Sequence, residues 1–219
     1  LLGEAVEELT ADSGVVGILL TGSLARGDAL PGTDVDLQVL LADGAPRTFR
    51  SETRRGVIVE WKASDFETAR SLMEARPMEV YSYLDGRILH DPKGRLARLQ
   101  EAAHLRFTAY RTPAEDRRAI AYSAKSSLLN LETAERAGDH LKAAYVATTV
   151  SWPILEGLRA ANDTPVPPNS SVWPHLRDLP DDPSPLEDLL RLLFLGGVEE
   201  RVTAASGLMR RIAERLESE

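Results

Sequence analysis

The stretch TGSLARGDALPGTDVDLQVLL, Thr21 to Leu41, sets two aspartates into an apolar run. A β-strand shows alternate residues to opposite faces. Asp34 and Asp36 therefore point one way, and Val35 and Leu37 the other. Like charges side by side on a strand face repel, the more so when buried. The pair calls for positive charge opposite it, or for full exposure to water. The run before it, Val15–Leu20, reads as a buried strand that ends at Gly22-Ser23, and ten residues separate Ser23 from Asp34. A third acid, Glu60, lies in VIVEW, residues 57–61, which reads as another strand entered through Gly56. If the three strands are neighbours, one sheet face collects three carboxylates.

Oxygen ligands without Cys or His suit a hard cation such as Mg²⁺. Two such ions, about 3.5–4 Å apart, stabilise an in-line displacement at phosphorus. The turn fits the same chemistry. Gly22 has no Cβ, so a phosphate can approach its backbone. Ser23 brings a hydroxyl, and backbone N–H groups at the start of the next turn favour an anion. Arg26, three residues on, carries a guanidinium suited to phosphate oxygens.

Composition bounds the alternatives. The chain has 219 residues, 43% hydrophobic and 27% charged, the balance of a globular protein with ample material for a core. It has no cysteine, which excludes disulfides and thiolate metal sites. The formal net charge of −8 makes it a poor general partner for nucleic acid. No apolar run reaches membrane-spanning length, and the residues from Leu1 do not read as a signal peptide. A cytoplasmic protein without a membrane partner is the expectation.

Along the chain, Leu1–Ala11 reads as an amphipathic helix with Leu2, Val6 and Leu9 on one side. Strands are expected over Val15–Leu20, Val35–Leu41 and Val57–Trp61, and a short one before Asp91-Pro92. Ser64 is the expected N-cap of a helix that runs to Ala75, with Glu67 completing a capping box. From Lys93 onward helical periodicity dominates. Pro113 marks one helix start, and that helix runs to Ala137. A second spans about 139–161, kinked at Trp152-Pro153. Asp163–Pro185 holds seven of the 13 prolines and reads as a loop. Two helices, Pro185–Phe194 and Val198–Glu217, close the chain. The expected fold is α+β: a small mixed-sheet domain over residues 1–92, then an all-α bundle over 93–219.

Gly22-Ser23, ten residues, then Asp34-Val35-Asp36-Leu37 resembles the signature of the polymerase-β-like nucleotidyltransferase superfamily. The GSLARGD wording with a helical domain behind it is most similar to the antibiotic nucleotidyltransferases of aminoglycoside and lincosamide type. It is also similar to the minimal nucleotidyltransferases of toxin–antitoxin pairs. The resemblance implies that Asp34 and Asp36 bind two Mg²⁺ ions and that Glu60 joins one of them. It implies that Gly22, Ser23 and Arg26 hold the triphosphate of ATP or another NTP. The segment AYSAK, Ala121–Lys125, resembles a helix reading Glu-Tyr-Ala-Gly-Lys in the kanamycin enzymes, which implies a phosphate-binding role for Lys125. The glutamate that serves those enzymes as base is Ala121 here. Glu60, or a substituted acid such as Glu132, stands as the alternative base. The implied reaction moves an NMP group to a hydroxyl of a small acceptor, an aminoglycoside-like antibiotic leading, with a homodimer as the implied assembly. AMP transfer to a protein, and nucleotide sensing without catalysis, are the alternatives.

Overall fold

The computed structural model describes residues 1–179 and 183–217. The chain folds as two compact units, one of residues 1–109 and 167–171, the other of 110–166 and 172–219.

The first unit opens with helix α1 (Leu2–Ala11), strand β1 (Val15–Thr21), the short helix α2 (Gly22–Arg26) and strand β2 (Val35–Leu41). Strands β3 (Thr48–Arg54) and β4 (Val57–Ser64) follow, then helices α3 (Phe66–Ala75) and α4 (Val80–Leu84), strand β5 (Arg87–His90) and helix α5 (Arg95–Ala109). The five strands form one mixed sheet in the order β3-β4-β2-β1-β5, in which only the β2–β4 pair is parallel. The three strands expected from sequence to carry the acids and the glycine turn, β1, β2 and β4, are consecutive in that order.

Alternation decides what each face of the sheet does. Ile18, Leu20, Val35, Leu37, Val39, Val59 and Trp61 form one buried face, against which Leu2, Val6 and Leu9 of α1 pack. Leu19 and Leu40 point the other way and join Met73 of α3, Tyr81 of α4, and Leu96, Leu99 and Ala103 of α5. Helix α5 therefore belongs to the sheet unit, which extends through Ala109, whereas helical texture alone puts the boundary after residue 92. Leu99 is fully buried, and Leu99→Ala is expected to lower stability by about 2–5 kcal/mol through the cavity it leaves. Urea denaturation of the full chain checks this; an unchanged midpoint would remove α5 from the core of this unit.

Two local readings are corrected. The N-cap of α3 is Asp65, whose Oδ1 accepts from the Thr68 N–H at 2.8 Å. Ser64 is instead the last residue of β4. Strand β3 is absent from the sequence expectation: its seven residues, TFRSETR, are polar apart from Phe49 and almost wholly exposed, as on a sheet edge where no alternation is imposed.

The second unit consists of helices α6 (Ala114–Arg136), α7 (His140–Thr149), α8 (Ser151–Ala160), α9 (Pro183–Leu195) and α10 (Val198–Glu217). Leu131, Ile154, Leu158, Leu190, Leu208, Met209 and Ile212 lie at its centre. The expected kink near Pro153 is a break between α7 and α8 at Val150; proline has no N–H to return to the carbonyl four residues back. Of the proline-rich loop expected over 163–185, residues 180–182 lie outside the described residues. Its described part contains two short 3₁₀ segments, Asn169–Ser171 and Pro174–Asp178. Among the described residues no helix is long and apolar enough to cross a membrane.

Candidate active site

The site is laid out by strand register. Across the sheet, Ser51 of β3 pairs with Glu60 of β4, Glu60 with Asp36 of β2, and Asp36 with Thr21 at the end of β1. Residues opposite one another in register share a face, so Glu60 and Asp36 are lateral neighbours across a strand spacing of about 4.8 Å. Asp34 is exposed immediately before β2, near enough to Asp36 for its negative charge to act on that carboxyl. The neighbouring residues Val35, Leu37, Val59 and Trp61 are buried on the opposite side. Apolar burial thus sets Asp36 and Glu60 on the other face, the one that carries Leu19 and Leu40 and is covered farther along by α3, α4 and α5.

The β1–α2 turn stands against this acidic row. Thr21 is extended, and its hydroxyl donates to the Asp36 carbonyl oxygen at 3.4 Å, tying the end of β1 to β2. Gly22 then takes φ +69°, the left-handed region. A Cβ there would collide with Asp36 Oδ2 and lie 3.3 Å from Asp36 Cγ. Glycine is required twice over, by backbone angle and by the closeness of the carboxylate. The 22–34 loop is closed by hydroxyls: Ser23 Oγ and Thr33 Oγ1 are 3.0 Å apart, and Thr33 Oγ1 donates to Asp34 Oδ1 at 3.4 Å.

The electrostatics of Asp36 are those of a charge short of compensation. Burial first, then the negative charge of Asp34, raise its carboxyl above the ordinary range; Glu60 adds to the rise, while Lys62 and Arg26 oppose it. Among the described residues no hydrogen bond or ion pair reaches the Asp36 carboxylate. Nor is any group of three His, Cys, Asp or Glu side chains among them gathered closely enough to hold a metal. A half-buried, uncompensated carboxylate, two acidic neighbours and an all-oxygen donor set fit a hard divalent cation.

The remaining sequence candidates have definite places. Arg26 is nearly buried; its Nη1 donates to Asp85 Oδ2 at 3.3 Å and to Ser171 Oγ at 3.0 Å, and its Nε donates to Asp28. It anchors segment 167–171 to the first unit while adding positive charge near Asp36. Lys125 forms an ion pair with Glu217 inside the helical unit. Ala121 is buried in the helical core, and the AYSAK helix turns this position to packing. Glu132 accepts from Arg210 Nη2 at 2.9 Å. Sequence reading missed Thr33, which closes the loop locally, and Asp85 and Ser171, whose partner Arg26 lies far away in the chain. It also missed Ser51, whose Oγ donates to Glu60 Oε1 at 3.1 Å; recognising edge strand β3 was its precondition.

Residues 2–89 match the family model of the nucleotidyltransferase domain. The first unit thus carries a nucleotidyltransferase domain, and NMP transfer is the general chemistry that the match supports. Among solved structures, the chain is similar to a nucleotidyltransferase-like protein from Exiguobacterium sibiricum 255-15. The identity is 16%, over 97% of this chain and 73% of that one, with a TM-score of 0.45. None of the curated proteins matches the chain.

Proposed function

We propose that the chain is a Mg²⁺-dependent nucleotidyltransferase that moves AMP from ATP to a hydroxyl of a small molecule and releases pyrophosphate. The observation that carries this reading is the register pair Asp36–Glu60 facing a Gly22 turn whose missing Cβ leaves Asp36 Oδ2 uncovered.

Asp34 and Asp36 are the residues to hold the cations. Bound there, Mg²⁺ supplies neutralising charge to the triphosphate and makes the α-phosphorus more electrophilic. The chain's own residues supply position. Gly22 admits the phosphates to the backbone, Ser23 offers them a hydroxyl, and Arg26 adds positive charge from behind the turn. Glu60 serves as the base: Ser51 occupies Oε1, which orients the carboxylate and leaves Oε2 to take the proton. The acceptor hydroxyl loses its proton to Glu60, and its oxygen bonds to the α-phosphorus. The bridging P–O bond to the β-phosphate breaks, and its electron pair leaves on pyrophosphate.

Glu60→Gln is expected to lower kcat by about 10²–10⁴-fold, the range for removing a positioned base, with nucleotide affinity retained. Turnover at the unaltered rate would remove Glu60 from that role. The reading as a whole is tested by incubating the full chain with each NTP, Mg²⁺ and a panel of hydroxylated small molecules. The panel includes the aminoglycosides and lincosamides suggested by the sequence resemblance. Pyrophosphate release together with an acceptor heavier by one NMP supports it. Nucleotide binding with no release against any acceptor would favour a sensor, and labelling of a copurifying protein would favour a protein target.

A further inference from the structure

The sheet face continues past the acids, and one strand repeat further on its charge reverses. Lys62 pairs in register with Gln38 on one side and with Phe49 on the other. This second row, Phe49-Lys62-Gln38, lies directly beyond Ser51-Glu60-Asp36 on the same face, by about 7 Å at two residues of strand rise. Beside it is a shallow recess, with room for no more than a water, lined by Gln38, Lys62 and Ser64 of the sheet, Arg47 just ahead of β3, Ala69 and Leu72 of α3, and Glu79 and Tyr83; a ligand held by Arg47 and Lys62 therefore lies over the sheet surface. Arg47 and Lys62 are both exposed, and neither side chain has a hydrogen bond or ion pair among the described residues, while the Lys62 charge also acts on Asp36. Glu79 is the one carboxylate among the residues lining this recess. Phe49, 57% exposed, presents bare ring surface beside Lys62. In a chain of net charge −8, two unpaired cations and an exposed aromatic are thus set beside the acidic row.

The direction of reaction says what meets them. An in-line displacement puts the incoming oxygen opposite the departing pyrophosphate. With the triphosphate on the Gly22-Ser23 side, at the end of β1, the acceptor enters from the β4–β3 side, over Glu60, Ser51, Phe49 and Lys62. We infer that the acceptor carries an anionic group, a phosphate ester in the first instance, held by Arg47 and Lys62 about one strand repeat from its reacting hydroxyl, with its carbon frame against Phe49. This rests on the nucleotidyltransferase reading and narrows its substrate class. Guanidinium and ammonium groups attract phosphate and repel an ammonium-bearing sugar, so a polycationic aminoglycoside is disfavoured on this side of the site.

The test reads binding, so that it stands apart from turnover. The nucleotide site of the full chain is filled with a non-hydrolysable ATP analogue and Mg²⁺, and glucose 6-phosphate is titrated in by calorimetry. AMP is a second probe, separating nucleotides from sugar phosphates; glucose and kanamycin are the neutral and cationic controls. A phosphorylated probe is expected to bind at least about tenfold more tightly than either control. Arg47→Glu is expected to weaken it about tenfold or more, and Arg47→Lys to restore much of the loss. Lys62→Gln is expected to weaken it in the same direction. Tighter binding of kanamycin or glucose, no binding of either phosphorylated probe, or indifference to Arg47→Glu would overturn the inference. Failure of NMP transfer to every acceptor, with phosphorylated probes still bound, would instead overturn the proposed reaction.

Discussion

Asp36→Asn is expected to cut NMP transfer by about 10³-fold or more and, in the same protein, to raise the melting temperature at neutral pH. The first effect follows from the removal of a cation-holding charge at the reacting centre, where preorganised electrostatics carry most of catalysis. The second follows from the environment of Asp36. Burial, Asp34 and Glu60 raise its carboxyl above the ordinary value of 3.8. The folded chain therefore favours the protonated form. That favourable contribution is complete below the ordinary value and is lost as pH rises through the raised one. At neutral pH the ionised group opposes folding, and the neutral asparagine relieves it. The advantage of the variant should shrink on acidification and vanish below the ordinary aspartate value. Thermal melts of both proteins in EDTA across that range check the sign. Added Mg²⁺ should then stabilise the native chain and leave the variant where it was. Normal turnover by Asp36→Asn, or a lower melting temperature at neutral pH, would count against this account of the site.

Gly22→Ala is expected to damage both stability and activity. A left-handed backbone costs a residue with a Cβ about 1–2 kcal/mol, and here that Cβ also meets the Asp36 carboxylate. Either the turn opens or Asp36 moves. A displacement of about 1 Å at a reacting centre is worth about 10²-fold in rate, and that is the expected loss in kcat. Gly27→Ala provides the control. Gly27 also has positive φ, +84°, but nothing lies within 4 Å of its added Cβ. It should show the backbone destabilisation with little of the kinetic loss. Equal kinetic effects at the two positions would mean that backbone strain alone matters and that the contact with Asp36 does not. Chemical denaturation and steady-state kinetics on both variants separate these outcomes.

Much of the first unit was legible because its key elements are short, strongly patterned and locally specified. Strand β2 has the limits that alternation predicts, since Val35, Leu37 and Val39 must be buried and Asp36 and Gln38 need not be. The Gly22 turn announced itself through glycine and serine at the end of an apolar run. Edge strand β3 was illegible for the opposite reason: with both faces exposed, burial imposes no period on its residues. Helix α5 is legible as a helix but groups, on texture alone, with the bundle. The partners that define its unit, Leu19 and Leu40, lie far back in the chain. Arg26 shows the same limit at a single side chain. Its charge is evident in the sequence, while its engagement by Asp85 and Ser171 depends on segments 59 and 145 residues away.

By itself the sequence determined that three carboxylates and a glycine turn would lie at the ends or middles of strands. Period-two burial makes that a local matter. Only the tertiary structure decided that β4 lies parallel beside β2, in the register that sets Glu60 next to Asp36, and that Lys62 and Phe49 fall one row beyond. Register between strands more than 20 residues apart is settled by how two buried faces pack and by the hairpin that delivers β4. Neither is written in any one stretch of the chain.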